Sequence, residues 1–263
     1  MIVKRFESAL WETSSLLLSN GVEAVLIDPA ISAAEVARIA ERVHELGAEV
    51  THVLATHADW DHVCGIAAFP NAAATMSEAT ATRLLARADE TTTAERAAAN
   101  GVEIAGEPRV DRTFLAGTAL QAGPFLLETL ALPGHTPDGT AFRCRELGLL
   151  AVGDHLSTIE FPFVTSTAAY RATLAALIDL LRRDAPGRVV PGHGPELVAA
   201  DALAIAEADL SYLWELREAV ATGATREDAR EAGLAVELPR PAADDLAEAQ
   251  AANVEAALAE RFA

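Results

Sequence analysis

Cysteine, basic side chains and long apolar runs are all scarce in this chain, and each scarcity removes a class of protein. Cys64 and Cys144 are the only two cysteines among 263 residues, which excludes a disulfide-dense scaffold. Twenty basic residues stand against 39 acidic ones, a formal net charge of −19. A surface that negative repels polyanions, so neither nucleic acid nor an anionic membrane is an expected partner. No run of 18 or more apolar residues occurs, so no membrane span is expected. The opening stretch MIVKRFESALWETSS lacks the sustained apolar segment of a signal peptide, and a cytoplasmic location is the expectation. There is no internal repeat and no low-complexity linker. What is present is a chain that is 51% hydrophobic and 22% charged, enough to bury a full core.

The patterning is that of an α/β protein. Ser15–Ser19 and Val22–Asp28 are apolar runs flanking Asn20-Gly21, a hairpin signal. Ser32-Ala-Ala-Glu35 reads as a capping box, followed by Val36, Ile39, Val43 and Leu46 at helical spacing, with Gly47 as the stop. Val50–Ala55 reads as a buried strand that gives way to a polar loop, Thr56–His62. Ser77–Asn100 reads as one helix ended by Gly101. Thr113–Leu120, Phe125–Leu132, Thr140–Cys144, Leu149–Val152 and Arg188–Val190 read as strands, and Thr167–Arg183 as an amphipathic helix with Thr167 as its N-cap. The chain reads as helical from Glu196 onward, with a further cap at Thr225–Asp228 and with Leu210, Leu213, Trp214 and Leu216 packed down.

The chemistry concentrates in loops that follow predicted strands. His57-Ala-Asp59-Trp-Asp61-His62 places two imidazoles and two carboxylates at one strand end, a set that is costly to desolvate unless a divalent cation joins it. Gly134-His135, Gly153-Asp154-His155 and Gly192-His193 follow, each with a glycine expected to turn the backbone sharply. His44 and His52 fall within a helix and a strand and read as structural or exposed. Asp28 reads either as a turn former or as the acceptor that orients a ligand histidine. Thr56 either bonds a carboxylate or finishes its strand. Trp60 is a candidate for the pocket wall or for packing beneath the loop. Phe161 and Phe163 are candidates for an apolar pocket or for the core. Tyr170 could reach the site from the helix that follows. Ser157 reads as a structural hydroxyl and Cys64 as a small buried hydrophobe.

The ordered set His-x-Asp-x-Asp-His, Gly-His, Gly-Asp and Pro-Gly-His resembles the metallo-β-lactamase-fold superfamily. The resemblance implies an αββα sandwich over residues 1–198, with residues 199–263 as a C-terminal helical extension packed on it. It implies two divalent metal ions, zinc first, with iron or manganese as alternatives. His57, Asp59 and His135 would hold one ion and Asp61, His62 and His193 the other, with Asp154 between them. Asp61 and His155 are the candidate catalytic residues. His155 is either a proton donor facing the substrate or a histidine bonded within its loop.

The superfamily usually has histidine where Asp59 stands. The added carboxylate predicts a weaker Lewis acid, a less acidified bound water and a harder ligand set. The expected activity is hydrolysis of a small ester, thioester, lactone or amide by a metal-bound hydroxide. The alternatives are an iron-dependent oxidoreductase or dioxygenase on the same fold, or a non-catalytic metal-binding protein. The expected partner is a small-molecule substrate, cationic or neutral by the charge balance, and the C-terminal helices could pair two copies.

Overall fold

The computed structural model describes residues 1–29, 31–88, 91–240 and 247–262. Two sheets form its centre. The first has six strands in chain order: β1 (Ile2–Glu7), β2 (Ser14–Ser19), β3 (Glu23–Ile27), β4 (Glu49–Leu54), β5 (Ala73–Ser77) and β6 (Arg112–Phe114). Pairing is antiparallel from β1 to β3 and parallel from β3 to β6. The second has five, with β7 (Ala119–Ala122), β8 (Phe125–Ala131), β9 (Thr140–Cys144), β10 (Leu149–Ala151) and β11 (Arg188–Val190) in the order β11-β10-β9-β8-β7.

Alternation along the strands explains why both sheets are buried on both faces. Leu16, Leu18, Val25 and Ile27 point between the sheets and meet Phe125, Leu127, Phe142 and Leu149. Leu17, Ala24, Leu26 and Val53 point the other way, against α1 (Ala33–Glu45) and its Val36, Ile39 and Val43. On the far side of the second sheet, Leu150 and Val152 pack under α5 (Thr167–Asp184) and α6 (Ala199–Thr222). The result is an αββα sandwich with three apolar layers. Each fully buried large side chain contributes about 2 kcal/mol of transfer free energy, so the fold does not depend on the polar edge.

The C-terminal helices complete the outer layer. α6 packs along α5, and α7 (Arg226–Leu234) and α8 (Ala247–Arg261) close over it with Ala229, Val254 and Leu258 fully buried. The capping box at Thr225 is present. Leu213 and Leu216 are buried as their spacing predicts. Trp214 is 45% exposed instead, lying between the guanidiniums of Arg171 and Arg217. Among the described residues, no helix is long and apolar enough to cross a membrane.

Several elements differ from the sequence reading. The single helix expected over Ser77–Asn100 is two, α3 (Glu78–Ala88) and α4 (Thr93–Ala99), because Thr92 and Glu95 form a capping box that starts a new helix. Thr113–Leu120 divides into β6 and β7, which belong to different sheets, with Gly117 at φ 90° between them. Ser166, not Thr167, caps α5, since its hydroxyl accepts from the Ala169 amide. Thr167 is instead tied to Glu260 of α8. Strands β1 and β5 lack a clear sequence signal. The first alternates weakly, and the second is short and built of small residues around a single methionine.

Candidate metal centre

Five strand ends meet at one edge of the sandwich. Asp28 follows β3, the loop from Thr56 follows β4, His135 follows β8, Asp154 follows β10 and His193 follows β11. Backbone hydrogen bonds lock these ends together: Asp28 N to Leu54 O at 2.9 Å, Thr140 N to Thr56 O at 2.8 Å, Gly192 N to Gly153 O at 2.7 Å and Ser14 N to Gly192 O at 2.7 Å. Gly192 is required by space rather than by turning. A Cβ there would sit 2.1 Å from Asp154 Oδ1. Gly134 meets both demands, with φ 134° and a Cβ that would lie 2.4 Å from the Tyr170 backbone.

Within the loop, Asp59 precedes a one-turn helix, α2 (Trp60–Val63), and its carboxylate makes no cap hydrogen bond. It turns toward His57 and His135 instead. Asp59 Oδ2 lies 3.4 Å from His57 Nε2 and 3.3 Å from His135 Nε2. Asp61 Oδ2 lies 3.2 Å from His62 Nε2 and 3.4 Å from His193 Nε2. The Asp154 carboxylate spans the two groups. Its Oδ2 faces His57 and His135 at 3.4 and 3.2 Å, and its Oδ1 faces His62 and His193 at 3.0 and 3.4 Å.

The outer nitrogens of all four imidazoles are anchored. His62 Nδ1 donates to Asp28 Oδ2 at 3.0 Å, His135 Nδ1 to the Phe163 carbonyl at 3.0 Å and His193 Nδ1 to the Trp11 carbonyl at 3.0 Å. Thr56 gives its hydroxyl proton to Asp28 Oδ2 at 2.6 Å, so it accepts from His57 Nδ1 at 3.0 Å. These acceptors assign the Nδ1–H tautomer to each neutral ring and leave every Nε2 lone pair aimed inward. His57 Nε2, His135 Nε2 and Asp154 Oδ1 are buried with no well-aligned hydrogen-bond partner. His62 Nε2 and His193 Nε2 face each other at 3.4 Å. Ring nitrogens and carboxylates converging in this way call for positive charge between them, and two groups of donors fit one cation each: His57, Asp59, His135 and Asp154, and Asp61, His62 and His193.

Electrostatics give the same answer. Burial alone would lower the His135 pKa, but contact with Asp154 and Asp59 overrides it and raises the value to about 10. His193 is likewise opposed by burial and raised by Asp154 to about 9. Three clustered carboxylates demand positive charge, which protons or metal ions can supply.

A sequence profile of the metallo-beta-lactamase superfamily matches residues 10–193. The chain belongs to that superfamily. It is 32% identical over 98 residues to a probable metallo-hydrolase, YqgX, of Bacillus subtilis (strain 168). That match covers 36% of this chain and 46% of the relative, so less than half of that protein's length is spanned. A metallo-beta-lactamase family protein of Thermus thermophilus, TTHA1429, superposes with a TM-score of 0.69 at 23% identity, covering 100% of this chain and 94% of that one. TTHA1623, solved in a di-iron-bound form, superposes with a TM-score of 0.59 at 25% identity, covering 75% and 96%.

Asp59 departs from the superfamily's usual histidine, and its surroundings revise what the sequence suggested. Its second oxygen accepts from Arg83 at 2.7 Å and from Arg87. Arg83 also reaches Asp138 Oδ1 at 3.1 Å, and Asp138 Oδ2 accepts from the Ala58 amide at 2.8 Å. Two arginines and two aspartates sum to zero, so the extra carboxylate is already offset. The expected weakening of Lewis acidity counted Asp59 without these partners. Neither arginine carried a sequence signal, because both sit on α3, distant in sequence from the motif.

A cavity of about 620 Å³ opens over the cage, lined by Trp11, Trp60, Phe163, Arg87, Arg96 and Glu160 together with cage residues. Trp60 is therefore on the wall, edge-to-face with Trp11 at 5.6 Å. The Phe161/Phe163 pair divides: Phe163 lines the cavity, and Phe161 is buried at 2% exposure in the core. His155 does not reach the cavity wall. It lies behind Asp154, buried against the Tyr170 ring at 4.6 Å, and burial together with His135 pushes its pKa down to about 3. A neutral ring sealed there has no route to a substrate. The Tyr170 hydroxyl bonds the Asp154 carbonyl at 3.2 Å, so it steadies the loop rather than entering the pocket.

Ser157 is a turn hydroxyl, accepting from the Ile159 and Glu160 amides. Cys64 is buried, its thiol pushed up to about 12. His44 is exposed and His52 half-buried, both away from the site.

Sequence reasoning missed Glu160. Burial holds its carboxyl up at about 7, and it lines the cavity beside the cage. Its loop is fixed from behind. Asn253 of α8 bonds Val164 N and Pro162 O, and Arg240 bonds the Glu160 carbonyl. No described residue after His193 lines the cavity, so the C-terminal helices support its wall without forming it.

Proposed function

We propose that this protein is a metal-dependent hydrolase of small esters, thioesters, lactones or amides, with two divalent cations, zinc first, held by His57, Asp59, His135, Asp154, Asp61, His62 and His193. The observation that carries this reading is the set of four imidazoles whose Nδ1 atoms are all tied outward and whose Nε2 atoms all point inward at shared carboxylates. Bound cations would supply Lewis acidity and lower the pKa of water to near neutrality.

The residues of the chain do the rest. The rigid strand ends hold the donors in place. Trp11, Trp60 and Phe163 exclude water from one side of the cavity and accept an apolar group. Glu160 holds a proton near neutral pH at the cavity wall, where a leaving group would need one. Asp61 positions His62 and His193 and is assigned no separate proton-transfer role. A position for His155 as donor is not part of this reading, since the cavity does not reach it.

The relative named as a probable metallo-hydrolase supports the hydrolytic reading. The di-iron form of TTHA1623 supports testing iron beside zinc, because the carboxylate-rich set suits either. The test is metal analysis of the purified chain followed by turnover of an ester, thioester, lactone and amide panel. Two equivalents of divalent metal with turnover of one class is the expected result. Iron with oxygen consumption and no hydrolysis would replace the reading with oxidative chemistry. Absence of bound metal and of turnover after loading would leave a binding protein.

A further inference from the structure

Arg96 lies on α4, which packs against α2, the helix that carries Trp60, Asp61 and His62. It lines the same cavity as the cage. Its guanidinium makes no hydrogen bond or ion pair among the described residues, and its Nε is buried without a partner. This is unusual in a chain where acids outnumber bases 39 to 20. Arg83, Arg87, Arg143, Arg188, Arg226 and Arg240 all hold a carboxylate. A guanidinium presents five donors in a planar fork, and leaving the buried Nε–H of Arg96 unmade is costly unless water or a ligand in the cavity completes it.

The cavity's other walls define the rest of the ligand. Trp11, Trp60, Ile159 and Phe163 offer apolar surface. Glu12 and Glu160 come from different segments than the two arginines, so the walls differ in charge. Arg87 is already engaged by Asp59. Arg96 is thus the cation free to meet a ligand among the described lining residues.

We propose that Arg96 is the substrate-anchoring residue of this cavity and selects small carbonyl compounds that carry an apolar body and a terminal oxyanion, a carboxylate or phosphate. This deepens the hydrolase reading and rests on it for the word substrate. The binding claim stands by itself. The net acidic surface disfavours polyanions, yet a small ligand with one terminal oxyanion group can be held where a local cation faces the cavity.

The test is a binding titration of the purified, full-length protein by calorimetry and by tryptophan fluorescence, with Trp11 and Trp60 as reporters. The probes are 4-phenylbutyrate, 3-phenylpropyl phosphate and the neutral 4-phenylbutyramide. The oxyanions are expected to bind about tenfold or more tightly than the amide, as a charged hydrogen bond provides. The carboxylate and phosphate arms show which oxyanion fits. Arg96→Gln should bring the ratio near one with an unchanged thermal melt, and Arg96→Lys should restore part of it. Equal binding of oxyanion and amide by the wild type, no binding of any probe, or an unchanged ratio in Arg96→Gln overturns the proposal. Hydrolysis does not enter these readouts. Oxyanion preference without turnover of any ester, thioester, lactone or amide would sink the hydrolase reading and leave the anchoring site intact.

Discussion

The two halves of the cage are built from the same residue types but sit in different surroundings. Asp61, His62 and His193 are sealed, with side-chain exposures of 7%, 0% and 4%, and the His62 ring is fastened to Asp28, itself 4% exposed. Asp59 and His135 are more open, at 23% and 14%, and Asp59 is fastened by Arg83 and Arg87, which are 17% and 30% exposed. The sealed half relies on a buried internal acceptor, where each hydrogen bond is strong and its loss is costly. The open half relies on partly exposed cations, whose attraction is partly screened by water. The first arrangement fixes geometry. The second leaves charge adjustable, which is how a carboxylate stands where a neutral ligand is usual.

Substitutions should expose that difference. His62→Ala removes a ligand from the sealed half and should lower kcat/KM on the order of 10³-fold or more. The chain should still fold, because the three apolar layers lie elsewhere, with a few degrees lost from the melting temperature as buried Asp28 loses its imidazole partner; wild-type turnover in this variant would show that the cage is not the site. Asp28→Asn keeps the shape but weakens the anchor of His62 and the Thr56 relay to His57. A ten- to hundredfold loss of metal affinity is expected, read by competition with a chromophoric chelator. Glu160→Gln should cost about tenfold to a hundredfold in kcat with KM nearly unchanged, and an equal fall for substrates with good and poor leaving groups would remove it from proton transfer.

Proton release follows in size. His135 and His193 have pKa values raised to about 10 and about 9, so without metal both rings are protonated at pH 7. A cation must expel those protons. Metal affinity should therefore rise with pH from 7 and level off above about 9 to 10, with proton release visible in calorimetry across buffers of different ionisation heat. The same shifts mean that, after chelation, the stability these two imidazoliums contribute is complete below about 6.5 and lost as pH climbs through 9 to 10. A chelated protein whose melting temperature is flat over that interval would contradict it. Arg87→Gln, in the open half, should have the smallest effect, within about 1 kcal/mol of stability and a few-fold in metal affinity. An effect as large as that of Asp28→Asn would erase the contrast between the halves.

Much of the site was legible in the sequence. His57-x-Asp59-x-Asp61-His62 and the three later loops each follow a strand, and strands end at an edge where side chains can converge. Asp28 was legible only as one of two readings, and its bonds to Thr56 and His62 decide for the orienting role. His155 was misleading because adjacency in sequence to Asp154 says nothing about which way the next side chain faces; it turns into the core against Tyr170. Helix boundaries erred where a local cap competed with a long periodic pattern, as at Thr92. Strands β1 and β5 escaped notice because one is half-exposed with little alternation and the other is short and built of small residues around a single methionine.

The order of residues along this chain was enough to determine its layers and its donor set. Alternating leucines and valines demand sheets covered on both faces, and paired imidazoles and carboxylates at strand ends demand a cation. Only the tertiary structure decided what stands around that set: Arg83 and Arg87 against Asp59, Arg96 on the cavity wall with no side-chain partner among the described residues, Glu160 carrying a raised pKa. Those roles depend on distance through space and on exclusion of water. A helix 24 or 28 residues further along the chain announces neither.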